Sequence, residues 1–503
     1  MSGQTDEMFL RPSGMLLCLA GLAVALWPVL AQPPLESSIW VAETLAVILF
    51  ASGMRIMYEQ MDLTEPVHWA NGVMTLMFVV HPYLRLSTGG WLELYHFKFD
   101  ITPFYAQACH IAFLATLSFN VAYALSIRRV SKGQENVGRY LGRRDLSSDL
   151  QIHHRVKTVA TFCTVGGLLA AVYCAVIGGS VIAAFSKSSE ASTSAYIYMM
   201  PMLLSPACCL WYAAGRMANN PVWRNRAWVI IVCTIVINAL AGQRSGLVTA
   251  VGPFFLTVAC MSGKRVPRIL AVILIVLSMF GFAFLRDLQN PAGGEGNAGE
   301  TVSKFALSPG TQLLESLDGS DTEMVDALSL ESNVIPSIIP FSPGSDAAAI
   351  FGAPIPRFIW PDKPLTMDNR LNGMLLGRGV NQASVAYSFA GEGWYVGGFI
   401  GVIVFMAGAG AAFARVRNVY RTAGNGLIAT CLYSMATPLV VTLLRGALSY
   451  TLAYALFYIG PVLYLLWRSR GDEAASGHVR AINRKSDASP RRAKPWEPGV
   501  HQK

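Results

Sequence analysis

Apolar runs of membrane-spanning length follow one another through the first half of the chain, stop at Arg286, and resume at Gly393. A bilayer core takes about 20 mostly apolar residues per helix. By that rule the pattern predicts about twelve spans, at 14–31, 38–57, 67–84, 104–127, 158–185, 197–215, 227–242, 245–262, 269–285, 393–413, 425–444 and 449–467. The expected fold class is all-α, a polytopic membrane protein. The first run lacks a small-residue cleavage site, since Gln32-Pro33-Pro34-Leu35 follows it, and is read as a span rather than a leader.

The chain divides into four regions. Residues 1–285 form an N-terminal transmembrane bundle of nine spans, 286–392 a large loop between spans nine and ten, 393–467 three C-terminal spans, and 468–503 a basic tail expected to be disordered. A loop of that length is far beyond the usual few-residue connection, and such loops carry function or are disordered. This one holds apolar segments at Val334–Phe341 and Ala348–Ile355, so it can bury a core of its own. Asp287, Glu295, Glu300, Glu315, Asp318, Asp321, Glu323, Asp326 and Glu331 crowd its first half; Arg357, Lys363, Arg370 and Arg378 crowd its second. The asymmetry points to a cationic site held against the membrane. Asn290–Gly299 reads as a flexible hinge into the loop.

Composition agrees. Of 503 residues 53% are hydrophobic and 14% charged, with mean hydropathy +0.43; soluble domains carry roughly 25% charged residues. The net charge of +9 would suit nucleic acid, but its placement says otherwise. Lys and Arg concentrate in 128–157, 216–226, 264–268, 415–421 and the tail, all on one side if both termini are cytoplasmic. That topology puts the long loop on the outer face. All nine cysteines lie in or beside apolar spans, without disulfide or zinc spacing, and read as small buried hydrophobes.

Candidate chemistry is sparse and localised. There is no P-loop, no HExxH, no GxSxG, and no metal or cofactor is called for; Asp318-Gly-Ser-Asp321 resembles an acidic metal motif only loosely. Arginine on the outer face runs against the positive-inside bias, so Arg244, Arg357 and Arg445 need a reason. Singly each is a snorkelling anchor or a carboxylate partner. Together their planar donor forks suit a pyrophosphate at the bilayer surface. Pro354, Pro356, Pro361 and Pro364 stiffen a platform bearing Arg357, Lys363 and the interfacial Trp360. Glu392, at the start of the tenth span, complements a helix dipole or supplies a carboxylate to the site. Asp326 lies on a solvated face or is a second such carboxylate. His68, His81 and His110 lie in or beside apolar spans, where packed or interfacial histidine is the default and a base the alternative.

Three segments resemble the bacterial oligosaccharide repeat unit polymerases, the Wzy-type O-antigen and exopolysaccharide polymerases. They are Asn238-Ala-Leu-Ala-Gly-Gln-Arg244-Ser-Gly-Leu; Ile355-Pro-Arg357-Phe-Ile-Trp360-Pro-Asp-Lys363-Pro364; and Gly391-Glu392-Gly-Trp-Tyr with the following Gly-Gly-Phe-Ile-Gly401. The resemblance runs from about Asn238 to Tyr450, and the first seven spans match in hydropathy only. It implies a GT-C-like glycosyltransferase of the bacterial cytoplasmic (inner) membrane, with no cofactor. Such an enzyme joins undecaprenyl-pyrophosphate-linked oligosaccharide donor and acceptor on the outer face, alongside a flippase and a chain-length regulator. It also implies that Arg244, Arg357 and Arg445 hold the pyrophosphate, with Lys363, Arg370 and Arg378 as outer helpers and Glu392 or Asp326 as base. An O-antigen ligase uses the same donor chemistry, and a polysaccharide transporter or flippase is the reading from another class.

Overall fold

The computed structural model describes residues 12–31, 35–58, 64–88, 102–127, 150–177, 199–240, 244–262, 322–352, 355, 359–376, 387–423, 426–446 and 448–468. Of these residues 89% are helical, and there is no strand among them. In order they form α1 (Pro12–Ala31), α2 (Glu36–Tyr58), α3 (Pro66–Thr75), a π-helical turn (Leu76–Val80), α4 (His81–Thr88) and α5 (Tyr105–Ser126). Then come α6 (Leu150–Ile177), α7 (Leu204–Met217), α8 (Pro221–Leu240) and α9 (Arg244–Ser262). The long loop supplies α10 (Met324–Val334), α11 (Pro343–Gly352) and α12 (Met367–Leu376). The chain closes with α13 (Phe389–Ala423), α14 (Leu427–Arg445), α15 (Leu448–Tyr458) and α16 (Gly460–Arg468).

Six described helices are long and apolar enough to cross a membrane, or seven if the bent α15–α16 pair is one span. Their outer faces are what lipid requires. α1 buries only Gly14, Cys18 and Gly21, one face at helical spacing, while Leu16, Leu19, Val29 and Leu30 are exposed. Small residues let α1 and α2 approach closely: a Cβ on Gly53 would come within 2.7 Å of Cys18 Sγ. All nine cysteines are free thiols and eight are buried, as expected of small apolar residues.

Two apolar cores form. One joins α2, α3, α5, α10, α12 and α13. The other joins α6, α7, α8, α9, α15 and α16. α14 contributes to both and is the most buried of the apolar spans, so it is the beam between the two halves. Inside the first core, Asn120 donates to Asn71 at 3.0 Å and Asn71 to Ser52 at 3.2 Å, tying α5, α3 and α2 together away from water. Such side-chain bonds supply the specificity that apolar contact alone cannot give between helices in lipid.

Three expectations shift. The span expected at 67–84 runs without interruption from Pro66 to Thr88, with a π turn inside it. The tenth span does not open at Gly393. α13 breaks at Gly397 and Gly398, and Gly398 takes φ +61°, a conformation side-chain-bearing residues disfavour. Its short first piece folds against the long second piece, where a Cβ on Gly401 would overlap the Gly393 carbonyl oxygen at 2.0 Å. The last span is two helices bent by 57°, next to Pro461, which lacks the N–H a continuing helix needs. The span expected at 269–285 and the basic tail lie outside the described residues.

Candidate functional site

The helices are ordered by a charge cluster at each end. At one end Glu65, in the turn before α3, accepts hydrogen bonds from Arg55 at the end of α2 and from Arg417 (2.9 Å) and Arg421 (2.8 Å) near the end of α13. Glu65 and Arg417 are almost wholly buried. Burial pushes the Glu65 carboxyl upward, but the charges and hydrogen bonds of Arg55 and Arg417 outweigh it and hold the group below the ordinary carboxylate range. The other end of the same helices carries the loop. The run from Glu65 to Arg85 spans about 30 Å at ~1.5 Å per residue, the thickness of a bilayer core.

At that far end α10 enters the bundle, against α5, α13 and the π turn. Asp326 lies in its first turn, 1% exposed, with Oδ2 3.1 Å from His81 Nε2. Thr322 Oγ1 is 3.4 Å from His81 Nδ1. Arg85, one turn beyond His81, lies 3.4 Å from the Asp326 carboxylate and 3.9 Å from Glu323. The Tyr105 hydroxyl at the start of α5 faces the same carboxylate. His81 comes directly after the π turn. A π turn inserts one extra residue and rotates the rest of the helix by ~100°, a device common at functional sites. Here it carries His81 and Arg85 onto the face that meets α10.

Residues 326 and 331 are five apart on α10, so they point about 140° away from one another around the helix. Glu331, with no exposed surface, therefore meets α13 rather than α4. It abuts Gly391, where a Cβ would stand 2.4 Å from the carboxylate. Burial, then Asp368 and Glu392, push its carboxyl well above the ordinary range. Glu392 is also buried, and its Oε2 accepts the backbone N–H of Leu448, the first residue of α15. The dipole reading expected of Glu392 thus applies twice over, since it stands in the first turn of α13 and at the N-terminus of α15.

The cationic residues of the expected site are only partly gathered. Arg370 on α12 donates to the Tyr395 hydroxyl at 2.7 Å. Lys363 Nζ donates to the Ile355 carbonyl at 3.0 Å on an exposed surface, and Trp360 covers Gly352 while staying 37% exposed. Arg445 ends α14. Gly252 of α9 packs on Pro438 and Cys260 lies beside Cys431, so α9 and α14 run antiparallel and Arg244 begins its helix at the end where Arg445 finishes. The side chain of Arg244, and Arg357 and Arg378 altogether, lie outside the described residues.

Two expectations change here. Asp326 is not on a solvated face, because α10 is buried along almost its whole length. His81 is buried as a packed histidine would be, yet it is paired with a carboxylate from 245 positions away. Sequence reasoning does not find Arg85, Tyr105 or Glu65, and it finds Glu331 only as one of the acids crowding the loop. The signal available was the spacing of His81 and Arg85, two polar residues four apart at the end of an apolar run. Among the described residues no group of three or more His, Cys, Asp or Glu could hold a metal ion. Comparison of the chain with family models, curated proteins and solved structures returned no match.

Proposed function

We propose that the protein is a membrane glycosyltransferase that polymerises lipid-pyrophosphate-linked oligosaccharide repeat units on the outer face of the bacterial cytoplasmic membrane. In this reading the chain has about twelve spans with both termini cytoplasmic. One observation carries it: the long loop folds back into the bundle and buries Asp326 against His81 and Arg85, at the end opposite the Arg417–Arg421 cluster.

The roles divide by chemistry. Arg244, Arg357 and Arg445 grip the pyrophosphate, whose lipid tail stays in the bilayer, and their fixed charge stabilises the leaving group. Lys363, Arg370 and Arg378 assist, and Trp360 lies at the interface. The acceptor sugar hydroxyl gives its proton to a carboxylate as its oxygen attacks the anomeric carbon and the C–O bond to phosphate breaks. Asp326 suits this better than Glu392. One Glu392 oxygen is taken by a helix N-terminus, whereas Asp326 Oδ1 accepts no hydrogen bond among the described residues. His81 and Arg85 fix the other Asp326 oxygen and orient it.

The test is turnover by the purified full chain in nanodiscs, supplied with a synthetic undecaprenyl-pyrophosphate-linked repeat. The proposal expects a ladder of longer glycans on the carrier and a 10²-fold or greater loss of kcat in Asp326→Asn, about the lower bound for removing an acid–base group. Glycan transferred only to lipid A core would make the protein a ligase. Intact repeats moved between leaflets with no new glycosidic bond would make it a transporter.

A further inference from the structure

Glu331 is the most unusual carboxyl among the described residues. It has no exposed surface, and neither of its oxygens has a hydrogen-bond partner among the described residues. Among the described residues the charges it meets are Asp368 from α12 and Glu392 from α13, both acids. The Tyr387 ring just before α13 is its third titratable neighbour, with a buried hydroxyl that makes no hydrogen bond. The charged and titratable groups on the other side of α10 are His81, Arg85 and Tyr105, and these are engaged with Asp326 and Glu323 instead. Gly391 comes so close that even a methyl group would collide with the carboxylate, so no solvating water fits on that side.

An ionised carboxylate tolerates none of this. Removed from water, with no donor and with acids for neighbours, the charged form is strongly disfavoured against the neutral acid. We infer that Glu331 is a proton-held latch: its neutral carboxyl seals α10 against the Gly391 turn of α13, and its ionisation frees α10 from the end of the bundle. The same helix carries Asp326, so release of α10 withdraws Asp326 from His81 and Arg85 and dismantles that pair. The latch stands on the packing of α10 and holds whether or not the bundle end transfers sugars.

Burial sets the sign. Together with the two neighbouring acids it raises the proton affinity of Glu331 in the closed form. Closure is thus fully favoured below the ordinary carboxylate pKa of 4.5 and weakens as pH rises through the elevated value of the closed form. Above the ordinary value, each pH unit multiplies the open-to-closed ratio by about ten until that elevated value is passed.

The test needs no substrate. Amide hydrogen exchange of the 324–334 segment is followed in nanodiscs at pH 5 to 9, comparing the wild-type chain with Glu331→Gln and Glu331→Met at each pH, so that the intrinsic pH dependence of exchange cancels. The expected result is wild-type exchange within about fourfold of the variants near pH 5, rising to at least tenfold faster than the variants by pH 9, with both variants closed throughout. A wild-type-to-variant ratio that does not change with pH overturns the latch. So does failure of both neutral variants to fold, because the neutral side chain is the sealed form. Glu331→Met carries the comparison if only Glu331→Gln is unstable.

Discussion

At the scale of single residues, the buried charges decide which end of the bundle does what. Glu65 holds three arginines from two helices, and removing it leaves the Arg417 charge buried without that carboxylate. Breaking a buried ion pair by deleting one partner costs about 3–5 kcal/mol. Glu65→Ala should therefore lower the thermal midpoint of the detergent-solubilised protein by many degrees, whereas Glu36→Ala, at the exposed start of α2, should leave it nearly unchanged. The lowered Glu65 carboxyl also gives a pH dependence. Its contribution is complete above the ordinary carboxylate value and is lost as pH falls through the depressed one. Melting curves followed downward from pH 4.5, the ordinary carboxylate value, should show acid destabilisation in the wild type that is reduced in Glu65→Gln. None of this is legible in the sequence. Glu65 lies in a short turn with no motif, and two of its three arginine partners come from more than 350 positions away.

At the scale of elements, hydropathy located most helices but could not see breaks inside apolar stretches. The π turn in 76–80 lies within an unbroken apolar run, and apolar side chains leave no mark of an extra residue per turn. The break in α13 did have a mark, since Gly397-Gly398 supplies the φ +61° residue, but paired glycines are common in spans and say little alone. The hairpin it makes depends on close backbone approach between Gly393 and Gly401. Gly401→Leu must separate the two pieces and should detach Glu392 from the N-terminus of α15. Gly398→Ala should cost roughly 1–3 kcal/mol, because φ +61° with ψ −143° is a backbone region that essentially only glycine enters. Thermal melts of both variants check the order: the loss at Gly401 should exceed that at Gly398, and the reverse would mean that the hairpin contact is not what holds α13.

At the scale of the whole molecule, the sequence spoke most clearly about sidedness. Lysine and arginine clusters give the expectation of one cytoplasmic face; in the structure Arg55, Arg417 and Arg421 meet at one end of the helices, while α10 and Asp326 meet His81 and Arg85 at the other. The details of the candidate site were less legible. Asp326 and Glu392 stood out as acids beside apolar runs, but their partners come from α4, α5 and α15, which only folding brings near. The proposed glycosyl transfer requires the Asp326 end to face outward, where the proposed lipid-linked pyrophosphate would bind. The direct measurement is labelling of intact cells with a membrane-impermeant amine reagent, followed by peptide mapping. Lys363, half-buried near the loop end, is expected to be modified before the membrane is opened, and Lys264, in a cluster expected on the cytoplasmic face, only afterwards. Lys264 labelled in intact cells with Lys363 protected would contradict the proposal.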